Sequence, residues 1–193
     1  MIGRGDQASQ DLRIEPLPPE LVHEPLNWLF AEHYRQRQLC QLIERVCSAT
    51  VLLRPEAEDI LQFLRHDMPL HIIDEEDDLF PLLRRRCQPS DELDQVLGAL
   101  SVEHRDDIEY SRALAIPLER ALETGEAPSG DRETRRLFAE FAQRERRHIA
   151  LENAVVLPIA RLRLTAADLR SLSLRLAARR GVLLDEAGEA VRS

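Results

Sequence analysis

Between Glu20 and Arg180 the chain carries only three glycines, Gly98, Gly125 and Gly130, although seven occur in all. The long stretches between them are rich in Leu, Ala, Arg, Glu and Gln, all strong helix formers. Breaks are few. They are Pro55 after the β-branched pair Thr50–Val51, the run Gln88-Pro89-Ser90-Asp91, and the run from Gly125 to Asp131. Thr165 has the character of an N-cap and Gly181 of a helix stop. The pattern predicts an all-α fold with four long helices at 20–49, 57–87, 91–124 and 131–163, then a shorter one at 165–180. Short turns between long helices imply antiparallel neighbours, hence an up-down-up-down four-helix bundle with an additional C-terminal helix. The expected organisation is a flexible lead (1–19), the bundle (20–163), and a C-terminal helix and tail (164–193). Leu169, Leu172 and Leu176 share one face of the last helix. That face either docks on the bundle, giving a monomer, or meets a second copy, giving a homodimer.

A formal net charge of -9 argues against nucleic acid and anionic membranes as partners, because both present negative phosphate. No apolar run approaches the roughly 18 residues of a membrane span. The opening residues lack the apolar core of a signal peptide. Cys40, Cys47 and Cys87 are odd in number and have neither metal-finger nor redox spacing, which suits a reducing compartment. These features together predict a cytoplasmic protein.

Two segments of the chain repeat each other. His71-Ile72-Ile73-Asp74-Glu75 leads to Leu79-Phe80-Pro81, and His148-Ile149-Ala150-Leu151-Glu152 leads to Val156-Leu157-Pro158. In each, His precedes Glu by four positions and Pro by ten. Glu32-His33 and Glu103-His104 form a second matching pair, so the order is EH, HxxxE, EH, HxxxE. A weak internal duplication of two helix pairs explains it.

The spacing has physical content. Positions i and i+4 share a helix face, roughly 6 Å apart, so each HxxxE can aim its His and Glu together. In an antiparallel hairpin, residues equidistant from the turn sit at equal height. The midpoint between His33 and His71 is residue 52, in the first turn; between His71 and His104 it is 87.5, at the second; between His104 and His148 it is 126, in the third. The four histidines therefore fall in one layer, one per helix. Inward-facing stripes carry them: Leu26, His33, Cys40 and Cys47 on the first helix; Leu97, Leu100, His104 and Ile108 on the third; Phe141, His148, Glu152, Val155 and Ile159 on the fourth. A buried layer of imidazoles and carboxylates is costly without a ligand, and a metal removes that cost.

The candidate metal ligands are thus His33, His71, Glu75, His104, His148 and Glu152. Mixed imidazole and carboxylate donors suit iron and related ions. Six side chains crowd one ion but serve two. Each ion takes two histidines, each glutamate bridges both, and an oxo or hydroxo bridge brings the count to about five ligands per iron. Glu32 and Glu103 lie about 100° around the helix from their histidines. They are read as covering helix–helix seams, with a second role as acceptors of a ligand imidazole's proton left open. Tyr34 and Tyr110 are read as packing between helices. Cys40 and Cys47 are read as small core residues.

These residues resemble the hemerythrin-like family, specifically its HHE cation-binding domain. The motif His71-x-x-x-Glu75-Glu76-x-x-Leu79-Phe80-Pro81 is especially close, and the resemblance covers roughly residues 22–160. It implies a four-helix bundle with a carboxylate-bridged di-iron centre that binds dioxygen or nitric oxide. Oxygen-carrying hemerythrins place HxxxH on the third helix, where this chain has Ile108. They also place an aspartate five residues after the last histidine, where this chain has Glu152 at four. The resulting set is similar to that of di-iron proteins implicated in repairing iron–sulfur clusters under nitric oxide stress. The resemblance implies sensing, storage, stress response or iron-centre repair through a small diatomic ligand. Two alternatives stand beside it: a di-iron enzyme, either a nitric oxide reductase or a peroxidase, and a zinc-bearing structural bundle.

Overall fold

A computed structural model describes residues 12–184. The greater part of the expected N-terminal lead, and the last residues of the expected tail, lie outside the described residues. Within them the fold is all-α, as the sequence predicts.

Helix α1 (Pro25–Ser48) follows a short 3-10 turn at Pro19–His23 and opens on Pro25, whose missing N–H is no loss in a first turn. Helix α2 spans 54–86 as one continuous rod. The helix thus begins at Arg54, three residues ahead of the expected start, with Pro55 in its first turn. Helix α3 (Leu93–Thr124) stops at Gly125, whose φ of 79° is the left-handed conformation glycine adopts without strain. Helix α4 spans 132–163 and is capped by the Asp131 carboxylate, which accepts the Thr134 N–H at 2.8 Å. Helix α5 (Ala166–Arg179) carries a reciprocal cap between Thr165 and Asp168 and ends before Gly181.

Three π turns interrupt the rods, at Phe63–Asp67, Asp74–Leu79 and Glu152–Val156. Each is followed by a proline two residues on: Pro69, Pro81 and Pro158. The residue before each proline donates its N–H five positions back: Met68 to Phe63, Phe80 to Glu75, Leu157 to Glu152. Proline has no N–H to give and its ring crowds the carbonyl four residues earlier, so the wider turn accommodates it without breaking the rod. The inserted residue also advances the helix phase by one position. Beyond Glu152 the core is filled by Val156, Leu157 and Ala160. The expected Val155 and Ile159 are only half-buried.

Helix α1 packs against α2, α4 and α5, and α3 against α2 and α4. The apolar interior falls into two separate clusters. One joins Trp28, Leu29, Phe80, Leu83, Leu97, Leu100, Val156 and Leu157 with Leu172 and Leu176 of α5. The other joins Leu39, Ile43, Ile60, Phe63, Leu114, Leu118, Phe138 and Phe141. On α1, α3 and α4 the histidine lies between the residues of one cluster and those of the other, and on α2 Glu75 does so, between Ile72 of the second cluster and Leu79 of the first. A polar layer divides the core. The apolar face of α5 is spent on the chain's own bundle, with Leu172 and Leu176 fully buried. Residues before α1 are also tied down: Leu12 and Ile14 pack on the second cluster, and the Glu15 N–H donates to Gln38 Oε1 at 3.1 Å.

Candidate metal centre

The layer is made of His33 on α1, His71 and Glu75 on α2, His104 on α3, and His148 and Glu152 on α4, all six buried. The HxxxE spacing turns each His and Glu of α2 and α4 toward the bundle axis; α1 and α3 supply one imidazole each. His33 Nε2 lies 3.2 Å from Glu152 Oε2 and 3.7 Å from Glu75 Oε1. His71 Nε2 is 3.7 Å from Glu75 Oε2, and His104 Nε2 is 3.2 Å from the same oxygen. His148 Nε2 is 3.2 Å from Glu152 Oε1 and 3.1 Å from His104 Nε2. The donor atoms fall into two overlapping groups, His33–His71–Glu75–Glu152 and Glu75–His104–His148–Glu152, each confined within 4.8 Å. The structure thus brings together all six residues singled out from the sequence, and both glutamates belong to both groups.

The donors fit a cation. Nε2 of His33 and of His71, and both oxygens of Glu75 and of Glu152, find no aligned hydrogen-bond partner among the described residues. Buried polar atoms are ordinarily satisfied, and leaving these orphaned costs on the order of 1–3 kcal/mol each. A metal ion among them supplies the missing partner. The protonation balance agrees. Burial alone would push His71 down, but Glu75 and Glu32 outweigh it and raise the imidazole to about 10. His104 and His148 respond in the same way, to about 9 and about 11. Burial would raise Glu75, yet the neighbouring imidazoles hold it well below the usual carboxylate range. These three imidazoles hold protons that a cation replaces, and the Glu75 carboxylate is already ionised to receive it.

The other nitrogen of each histidine is oriented by a neighbour. His71 Nδ1 lies 3.1 Å from Glu32 Oε2, His148 Nδ1 2.8 Å from Glu103 Oε2, His104 Nδ1 2.7 Å from Glu76 Oε1, and His33 Nδ1 2.8 Å from Asn153 Oδ1. An acceptor at Nδ1 holds its proton there and leaves the Nε2 lone pair for the centre. Glu32 and Glu103 are therefore proton acceptors rather than seam covers, and each serves the histidine of the next helix, not its own neighbour. Glu76 and Asn153 are the acceptors sequence reasoning missed. The signal was their position: each directly follows the glutamate of an HxxxE.

Two expected features are placed differently. Ile108 is 37% exposed, so it does not extend the inner stripe of α3. That stripe runs Leu97, Leu100, His104, Asp107, Ser111, Leu114 and Leu118, in alternating steps of three and four. Asp107 thus occupies the buried position after His104. Glu145 on α4 occupies the matching one before His148. Burial, reinforced by Asp107, raises the Glu145 carboxyl to about 7. Tyr34 is 55% exposed and packs between no helices, whereas Tyr110 meets Phe141 at 6.2 Å. Cys40 is fully buried, and burial pushes its thiol up, which fits a core residue and not a nucleophile.

Outside the layer, α5 and the residue after it clamp α2. Arg180 Nη2 donates to Glu32 Oε1 at 3.0 Å and to Asp74 Oδ2 at 2.5 Å, and its guanidinium lies 4.7 Å from the Trp28 ring. Arg179 pairs with Asp74 and Asp78, and Arg175 with Asp78.

Four helices enclosing a buried imidazole–carboxylate layer, with every imidazole held from behind, define a metal-binding helical bundle. The chain matches the family model described as Hemerythrin HHE cation binding domain over residues 24–160, and it belongs to that family. A comparison with curated proteins found no match. The family binds metal ions, and the His/Glu groups of this chain could hold them. Among the described residues no helix is long and apolar enough to cross a membrane.

Proposed function

We propose that His33, His71, Glu75, His104, His148 and Glu152 hold two iron ions, with Glu75 and Glu152 bridging them. We further propose that this centre binds dioxygen or nitric oxide in sensing, storage, stress response or iron-centre repair. The observation that carries the reading is the sharing of both glutamates: the two carboxylate oxygens of Glu152 face His33 on one side and His148 on the other. Two imidazoles and a share of two carboxylates give each position four protein donors. An ion that accepts six keeps room for a small ligand. Iron bound there supplies a redox couple and open coordination positions. The protein supplies the rest. The apolar clusters on either side keep bulk water from the layer, and Phe80, stacked at 5.7 Å on His104, fixes that ring.

Metal analysis of protein purified without oxygen tests the assignment. The expected result is two irons per chain, with a near-ultraviolet absorption that changes reversibly on adding and removing nitric oxide or dioxygen. His71→Ala and His148→Ala are expected to abolish stoichiometric iron. Zinc alone, or no metal in a folded protein, overturns the reading. A second reading, an enzyme reducing nitric oxide or peroxide, draws on Asp107 and Glu145, buried acids one helical turn from His104 and His148 that could supply protons. Sustained turnover in place of reversible binding would favour it.

A further inference from the structure

The duplicated halves of the bundle repeat their outer contacts as well as their donors. Glu32 behind His71 corresponds to Glu103 behind His148, and Asn153 behind His33 corresponds to Glu76 behind His104. The correspondence fails in charge at two places. His33 is held by a neutral amide where His104 is held by a carboxylate. Glu32 is neutralised by Arg180, whereas Glu103 has no guanidinium partner among the described residues. Glu32, Asp74 and Asp78 together face Arg175, Arg179 and Arg180, so this whole outer cluster on the His71 side sums to zero. On the other side, Glu76 accepts from the Ser101 hydroxyl at 2.9 Å as well as from His104, and the nearby Arg84 makes its ion pair with Asp94.

An anionic acceptor at Nδ1 draws the ring proton outward and enriches Nε2. A neutral acceptor, or a carboxylate already paired with arginine, does so less. We infer that the two cation positions are unequal. The position between His104 and His148 binds first and more tightly, and Asn153 and Arg180 make the position between His33 and His71 the weaker one. Arg180 lies outside residues 24–160 that match the family model, so the inequality is partly set by the residue that follows α5. The inference rests on the two-ion reading above.

The test is a titration of metal-free protein without oxygen, with Fe2+ followed by calorimetry and Co2+ followed by its visible absorption. Repulsion between neighbouring dications separates the two steps in any such centre, so separation alone decides nothing; the decision lies in which step each variant moves. Asn153→Asp replaces the amide behind His33 by a carboxylate of the same shape and is expected to tighten the second step by about tenfold or more, leaving the first in place. Glu76→Gln is expected to weaken the first step by a similar factor and leave the second. Thermal melting of each metal-free variant reports folding. If Asn153→Asp does not fold, Glu76→Gln decides alone, because weakening of the second step contradicts the assignment. Both variants moving the same step, or neither moving any, overturns the inference and leaves the two-ion reading intact. Failure of the unaltered protein to bind two cations overturns that reading instead.

Discussion

Glu152→Gln gives the sharpest view of how the two positions are joined. The substitution keeps the shape of the side chain and removes one buried charge whose oxygens lie 3.2 Å from His148 Nε2 and 3.2 Å from His33 Nε2. Two unit charges about 4 Å apart attract by about 4 kcal/mol at an effective dielectric of about 20. A dication doubles that figure, and sharing the carboxylate between two ions halves it again for each. Each binding step is therefore expected to lose about 4 kcal/mol, roughly a thousandfold in affinity. Anaerobic competition titration with Fe2+ against a chromophoric chelator measures both steps, and circular dichroism verifies that the helices persist. His33→Ala provides the contrast, because its imidazole belongs to one donor group only and its loss is expected to fall on one step. If Glu152→Gln weakens a single step, or neither by more than a few-fold, the carboxylate is not shared and the two-position reasoning fails.

Metal-free protein is expected to release protons on binding cations at pH 8, because His71 and His148 are held at about 10 and about 11 until a metal replaces the proton. Calorimetry in buffers of different ionisation enthalpy counts them, and a buffer-independent heat would contradict the balance. Those raised imidazoles also bear on folding. Their contribution is complete below the ordinary 6.5 and is lost as pH climbs through about 9 to about 11. Glu75, held low, contributes above the ordinary 4.5 and is lost as pH falls. The melting temperature of the metal-free protein should therefore peak between these limits and decline on both sides; a flat profile up to pH 10 would refute it. Phe80 is fully buried against His104, so Phe80→Ala should cost about 3–5 kcal/mol in denaturant unfolding, and a loss below about 1 kcal/mol would show that the ring is not part of the layer's packing.

Much of the layer is legible in the sequence. Helix propensity and three short turns dictate long antiparallel rods, and equal distances from each turn place His33, His71, His104 and His148 at one height. The i, i+4 spacing then brings Glu75 and Glu152 to the same level. These are consequences of local geometry, with 1.5 Å of rise per residue and a fixed angle between successive side chains, and a sequence carries local geometry in its spacing. Periodicity misled in two places. It carried the stripe of α4 through Val155 and Ile159, because a uniform period takes no account of the π turn that Pro158 requires. It also ran α3 through Ile108, where steps of three and four through Asp107 hold the buried face.

The chemistry between elements, by contrast, is set by how the helices pack. Glu32 and Glu103 point away from their own histidines and reach those of the next helix, because adjacent residues on a helix diverge by about 100°. Glu76 and Asn153 take up the remaining imidazoles from neighbouring rods for the same reason. Arg180, distant in sequence from every ligand, neutralises Glu32 because α5 folds back along α2. Spacing along one helix is set by covalent geometry, so the sequence alone determined which donors share a layer. Contacts across helices depend on how the rods turn and pack against one another, so only the folded bundle decided which charge stands behind each donor.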